Sequence, residues 1–323
     1  MDIEQTGELL KYLRANGRIG TGEIPEVRVL AGGVSNRTVL VRRESGESWV
    51  LKQALAKLRV AVEWLSPPER ILREARGMRR LGELLPPGCV PELIFEDPEH
   101  FVLAMSAVPE PHRNWKSMLL GGESDPGHVD QFARLAAAIH AGSSTALEAE
   151  FGDRSYFESL RLEPYYAYTA SRVPAAAAFL SSLIEDTRAT RQSLVHGDFS
   201  PKNILVWQDR LILLDHEVIH FGDPAFDIGF ALTHLLSKAN HMPSLRQSFK
   251  DAAVRFWRTY QSNGGAAGEE RSVRHTLGCM LARVDGRSPL EYLTGPERER
   301  QRRAVLRMMA APPTRVEGLV NVS

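Results

Sequence analysis

Apolar residues recur at helical spacing over residues 3–16, with Ile3, Leu9, Leu10 and Leu13 on one face and Gly17 closing the segment, which predicts an opening helix. Three short β-like runs follow, at 26–30, 38–41 and 48–53. The first two flank the small polar segment Ala31-Gly32-Gly33-Val34-Ser35-Asn36-Arg37, and the last two flank Glu44-Ser45-Gly46-Glu47, a hairpin turn by composition. Ser66-Pro67-Pro68-Glu69 predicts a helix start, with Ser66 as its cap and the helix running to about Leu85. Two further strands are expected at 92–96 and 101–106. Beyond Met105 the spacing becomes mainly helical, over 129–140, 174–186, 227–238, 244–260, 269–284 and 296–309. Residues 312–323 carry no strong periodicity and are expected to be poorly ordered.

This pattern divides the chain. A small sheet with one main helix is expected over 1–107, and a larger, mainly helical lobe over 108–323. The length of 323 residues suits two lobes. No internal repeat or low-complexity tract interrupts them.

Composition narrows the class. Forty basic and forty acidic side chains balance, so no long-range field draws the chain to nucleic acid or to an anionic membrane. Hydrophobic residues make up 43 % and charged residues 25 %, as in ordinary globular proteins. No apolar run approaches the roughly 20 residues that span a bilayer. The amino terminus, MDIEQTGELL, is acidic and amphipathic, unlike a signal peptide. Cys89 and Cys279 stand far apart without metal-ligand spacing and read as thiols of a reducing compartment. A cytoplasmic location is the expectation.

The chemistry concentrates in residues 194–217, LVHGDFSPKNILVWQDRLILLDHE. Asp198 follows His196-Gly197, Asn203 lies five residues later, and Asp215 follows the apolar strand 211–214. Single Asp residues commonly open turns or end strands. The ordered set, continued by Gly222-Asp223-Pro224 and Asp227, points instead to phosphoryl transfer. There one carboxylate accepts or orients a hydroxyl proton, while an Asn amide and a second carboxylate supply hard oxygen ligands to magnesium.

HGD-x4-N followed by an Asp at a strand end, and the tail GDPAFDIGFALTHLL, resemble the aminoglycoside phosphotransferase and choline kinase-like superfamily. The resemblance implies an α+β, bilobal protein kinase-like fold, with an antiparallel-sheet lobe binding nucleotide and a helical lobe carrying the catalytic loop, metal and acceptor. It implies ATP or GTP as donor, Mg2+, and a small-molecule hydroxyl as acceptor. Asp198 would be the base or hydroxyl-orienting group, and Asn203 and Asp215 the magnesium ligands. Lys52 would neutralise nucleotide phosphates, steadied by Glu74 of the following helix. Backbone and side-chain donors at Gly33, Ser35 and Asn36 would approach phosphate oxygens. Backbone groups from Ser106 to Val108 would meet the purine edge, with Met105 behind it. Asp227 would hold the loop by accepting backbone amides, and His196 would buttress it. Ser200 stands where many protein serine/threonine kinases have lysine, and Lys202 is positioned to replace that cation in part.

The acceptor is less constrained. Aromatic faces with polar tips suit sugars or amino alcohols, and Tyr165, Tyr166 and Arg283 are the substrate-contact candidates. The segment around Arg283 is similar to the arginine-bearing tail helix of methylthioribose kinases. Aminoglycoside-like acceptors belong to the class, but the basic stretch 298–315 argues against antibiotic resistance as the role. Two alternatives remain. A protein kinase-like enzyme is disfavoured by the glycine preceding Asp198, by Ser200 and by the absence of a docking segment after Asp215. A nucleotide-binding scaffold without turnover would have lost Lys52 or a catalytic carboxylate, and none is missing.

Overall fold

The computed structural model describes residues 1–30, 35–59, 64–142 and 144–320; Gly33 falls outside the described residues. The chain forms two compact units, Met1–Glu110 and Pro111–Ser323, against an expected division after residue 107.

The first unit is a five-stranded antiparallel sheet in the order β1-β2-β3-β5-β4. It contains α1 (Thr6–Ala15), β1 (Glu26–Val29), β2 (Asn36–Arg42), β3 (Ser48–Ala54), α2 (Arg70–Leu84), β4 (Leu93–Asp97) and β5 (Val102–Ser106). One face carries Val39, Val41, Trp49, Leu51, Phe95, Val102 and Ala104, which pack on Leu9, Tyr12 and Leu13 of α1. The period-2 alternation of these positions is what fixes the register. The helix expected from Ser66 starts only at Arg70. Its first-turn amides follow Pro67-Pro68, and the Ser66 hydroxyl caps nothing. Instead the fully buried Arg70 side chain donates to the carbonyls of Ser66, Pro67, Ser35 and Leu55, tying the helix start to the beginning of β2 and the end of β3.

The second unit opens with β6 (Arg113–Asn114), α3 (Trp115–Leu120), α4 (Pro126–Ala141), α5 (Thr145–Phe151) and α6 (Ser155–Phe157). A π-helical stretch, Glu158–Ala167, leads into α7 (Tyr168–Arg172) and α8 (Ala177–Ala189). Pro164 inside that stretch has no N–H for the α-register, which favours the wider turn. Four short strands follow: β7 (Ser193–Val195), β8 (Ile204–Trp207), β9 (Arg210–Leu213) and β10 (His220–Gly222). β7 pairs with β10, and β6-β8-β9 form a second small sheet. Then come α9 (Ala225–His241), α10 (Arg246–Ser262), α11 (Glu269–Asp285), α12 (Gly295–Ala310) and α13 (Val316–Leu319).

α9 is the axis of this unit. Every residue from Ala225 to Asn240 is buried, polar ones included, with α10, α11 and α12 packed around it. α11 approaches tightly at Gly229, where a Cβ would lie 2.4 Å from the Cβ of His275. Of the segment 312–323 expected to be poorly ordered, residues 321–323 fall outside the described residues and 312–320 are docked: Val316 and Leu319 are fully buried, and the Val316 amide donates to Glu269 at 3.0 Å. No helix among the described residues is long and apolar enough to cross a membrane.

Gly229→Ala forces α9 and α11 apart at backbone level. We expect it to lower unfolding free energy by about 3 kcal/mol, measured by urea denaturation, whereas alanine at Gly7, which has open space, is expected to be neutral or stabilising.

Candidate active site

The loop between β7 and β8 is built on one buried carboxylate. Asp227, in the first turn of α9, is fully buried and accepts the His196 amide at 2.7 Å on Oδ2 and the Gly197 amide at 2.8 Å on Oδ1. His140 of α4 donates to the same carboxylate from Nε2 at 3.2 Å. Its other ring nitrogen lies 2.8 Å from the Tyr260 hydroxyl, which accepts the Ala267 amide. Burial opposes ionisation of Asp227, but the His140 bond and the loop amides hold its pKa below the usual carboxylate range. Gly197 adopts φ +78°, and a Cβ there would sit 2.9 Å from Val218, so only glycine fits this turn.

His196 buttresses the loop. Burial lowers its pKa, so the ring is neutral at physiological pH. Nε2–H donates to the Leu214 carbonyl at 3.2 Å, and Nδ1 accepts the Asp198 amide at 3.2 Å. Phe199 stacks on Phe132 of α4 with ring centroids 4.2 Å apart, anchoring the residue after Asp198 in the core.

Asp198 is 1 % exposed, and its two oxygens are treated differently. Oδ2 receives Arg161 Nη2 at 2.9 Å, Lys202 Nζ at 2.8 Å and Asn203 Nδ2 at 2.9 Å. Oδ1 has no hydrogen-bond partner. Desolvation raises the pKa of such a group, yet the Arg161 and Lys202 cations prevail and hold it low. Asn203 Nδ2 also donates to the Asp198 carbonyl at 3.0 Å. Asp215 follows β9 in a left-handed conformation, φ +69°. One of its carboxylate oxygens lies within 4.8 Å of one from Glu217. β8 and β9 hold these residues in place through a two-residue turn, Gln208-Asp209, both at positive φ as a type I′ hairpin requires.

Arg161 escaped the sequence reading. It stands on the π-helical stretch, donates to the Gly197 carbonyl at 2.8 Å and to Leu160 at 2.7 Å, and pairs with Asp198. Nothing in its local spacing marks it; the nearby Pro164 in an otherwise helical run is the one signal of an irregular segment. The tyrosine candidates separate. Tyr165 is 5 % exposed and its hydroxyl accepts Arg283 Nη1 at 3.0 Å, so these two lie together. Tyr166 is fully buried, its hydroxyl 2.8 Å from His275 Nδ1 and 3.2 Å from Cys279 Sγ, and it belongs to the packing against α11.

In the first unit, Lys52 Nζ meets both oxygens of the fully buried Glu74, at 2.7 and 2.9 Å. Ser35 and Asn36 stand at the start of β2, with Asn36 Nδ2 donating to Ser35 Oγ at 3.1 Å. Ser106 ends β5, its hydroxyl accepting the Glu92 amide at 2.9 Å, and Val108 lies in the segment that follows.

An antiparallel-sheet unit with a strand lysine paired to a helix glutamate, followed by a helical unit with this loop, defines a kinase-type phosphotransferase. The model of the phosphotransferase enzyme family matches residues 26–270, and the chain belongs to that family. It is 24 % identical to a methylthioribose kinase of Pectobacterium atrosepticum over 77 % of this chain and 69 % of that one. It resembles the crystal structures of a macrolide 2'-phosphotransferase from Brachybacterium faecium (18 % identity, 95 % and 98 % of the two chains, TM-score 0.54) and of a choline/ethanolamine kinase family protein from Mesorhizobium loti (16 %, 97 % and 99 %, 0.56). These likenesses establish the protein kinase-like fold.

A group whose folded pKa is depressed contributes stability above its unfolded pKa and loses that contribution as pH falls through the folded value. Asp227→Asn is therefore expected to cost about 3 kcal/mol at pH 7. The deficit relative to wild type should shrink as pH drops below 3.8, read from urea unfolding at several pH values.

Proposed function

We propose that this protein transfers the γ-phosphoryl group of ATP or GTP to a hydroxyl of a small, sugar-like molecule. The observation that carries this reading is the asymmetry of Asp198: one oxygen saturated by three donors, the other buried and unpartnered. An acceptor hydroxyl supplies the missing donor. In the reaction its oxygen forms a bond to the γ-phosphorus, the bond from that phosphorus to the leaving oxygen breaks, and the nucleoside diphosphate departs. The hydroxyl proton passes to Oδ1 and then to solvent. Because two cations depress the Asp198 pKa, the carboxylate is a weak base in the ground state. It orients the hydroxyl first and takes the proton late, which suits the loose transition state of phosphoryl transfer.

The donor set fits magnesium. The Asn203 side-chain oxygen and the Asp215 carboxylate are hard oxygen ligands in a few-carboxylate arrangement, and Glu217 contributes a further carboxylate near Asp215. Bound there, the ion would neutralise charge on the phosphates. Lys52, fixed by Glu74, would neutralise nucleotide phosphates. Ser35 and Asn36, together with the undescribed Gly33, serve the phosphate end, and the Ser106–Val108 backbone the purine. The names of the curated relatives support a sugar hydroxyl as acceptor.

Asp198→Asn keeps the shape of the loop and removes the acceptor of the proton. Transfer to any substrate is expected to fall by about 10³-fold with nucleotide affinity unchanged; a comparable loss of nucleotide binding would contradict the role. Asp215→Ala is expected to abolish the magnesium dependence of nucleotide binding in a calorimetric titration, and an unaltered titration would refute the ligand assignment.

A further inference from the structure

α9 carries a second concentration of charge that the transfer chemistry above does not use. His234, Ser237 and Lys238 fall at i, i+3 and i+4 and so share one face of the helix. Lys238 is 0 % exposed, yet its ammonium makes one hydrogen bond, at 3.2 Å to the carbonyl of His234 in its own helix, and lies 5.5 Å from the ring centroid of Tyr292. Among the described residues no carboxylate is within ion-pair distance of it. Arg283, on α11, is 6 % exposed and likewise unpaired with any acid. Its Nη1 is spent on the Tyr165 hydroxyl and on Ser288, and its Nε has no partner. His234 Nε2, Ser237 Oγ and the Tyr292 hydroxyl are buried polar atoms that also lack hydrogen bonds.

The nearby acid is Glu291, with a side chain 65 % exposed and bound to Lys116. Partial burial works against its ionisation, but the Lys116 contact keeps its pKa below the usual carboxylate range. Its charge is thus committed to a lysine nearer the surface. Burial and the field of Lys116 bring Lys238 down to about 7, and burial together with Arg283, Lys238, Lys202 and Lys116 holds His234 well below its ordinary value. Two buried cationic side chains and three unsatisfied polar groups in one place are costly. An anion entering among them removes that cost.

The cluster adjoins the catalytic loop. Arg161, paired with Asp198 at 2.9 Å, lies 5.9 Å from the Tyr165 ring centroid, and the Arg283 guanidinium lies 5.6 Å from the same ring. The Phe230 ring, 5.7 Å from Tyr165, stands edge-on to His234 at 5.2 Å. One aromatic layer therefore separates the loop from the cations.

We propose that His234, Lys238 and Arg283 form a subsite for an anionic group, a carboxylate or a phosphate, carried by the acceptor whose hydroxyl meets Asp198. The proposal rests on the phosphotransferase reading and narrows it to hydroxy acids or sugar phosphates. It sets this chain apart from a kinase that takes a neutral sugar.

The test uses the full chain saturated with magnesium and a non-hydrolysable ATP analogue, so that the nucleotide phosphates cannot be displaced. Glycerol and glycerate, glucitol and gluconate, and ribose and ribose 5-phosphate are titrated as pairs, with methylthioribose as a further neutral compound. In at least one pair the anionic member should bind roughly ten-fold or more tightly than the neutral one. Lys238→Met should erase that preference while leaving nucleotide affinity and melting temperature intact, since it removes a buried charge without changing shape; Arg283→Met provides the second, independent removal. The carboxylate and phosphate pairs tell the two anions apart. Equal binding within every pair, or a folded Lys238→Met protein that retains the preference, overturns the proposal. So does an anion that binds at Lys238 but is never phosphorylated when ATP replaces the analogue. Failure of the underlying reading has a different signature, phosphate transfer that survives Asp198→Asn.

Discussion

A carboxylate with no solvent exposure must find its hydrogen-bond donors inside the protein, and Asp227 finds them in the two amides of the turn that leads into Asp198. That requirement organises the second unit. It draws α4 in through His140 and α10 through Tyr260, whose hydroxyl also holds the Ala267 amide ahead of α11. It places Gly197 against Val218, where no side chain fits, and so sets the direction in which Asp198 leaves the turn. Removing one member of such a network exposes the others to an unpaired burial, which is why the network acts as a unit.

The position of Asp198 then decides its chemistry. Arg161 enters from a segment whose π-helical winding lets one guanidinium reach the Gly197 carbonyl, the Leu160 carbonyl and the Asp198 carboxylate together. Lys202 and Asn203, on the single turn that follows, complete the grip on the same oxygen. A carboxylate anchored so firmly on one side cannot rotate, and its second oxygen keeps a fixed aim. Proximity and orientation are the larger part of what such a group contributes when little bonding develops in the transition state.

Much of this was legible in the chain. The sheet was, because its strands alternate, and the spaced set Asp198, Asn203, Asp215 and Asp227 was, because the loop is local in sequence. Boundaries failed where a tertiary contact overrode a local signal. Ser66 has the composition of a cap, but Arg70 fills that end of the helix with its own hydrogen bonds. The segment 312–320 lacks periodicity because two buried residues, Val316 and Leu319, suffice to dock a single turn. Arg161 and Tyr166 sit in a stretch wound at neither helical nor strand period, so pattern could not separate the residue that touches Asp198 from the one that packs against α11. In α9 the polar residues Thr233, His234, Ser237 and Lys238 carry no local signal of burial, and the helix is nonetheless buried from Ala225 to Asn240.

That burial makes the charge bookkeeping of the second unit informative. Asp227 is matched by His140 and two amides, Asp223 by Arg271 at 2.6 Å and His275 at 3.3 Å, and Asp198 by Arg161 and Lys202. These three buried carboxylates each have their partners within the fold. Lys238 and Arg283 break the pattern, and they do so with the opposite sign. Asp227, Asp223 and Asp198 are held by partners, whereas among the described residues Lys238 and Arg283 face no acid within ion-pair distance. In the proposed reaction the acceptor hydroxyl meets Asp198, and the unmatched bases lie one aromatic layer from that carboxylate. Charge complementarity is the physical basis on which the proposal gives the acceptor a negative group.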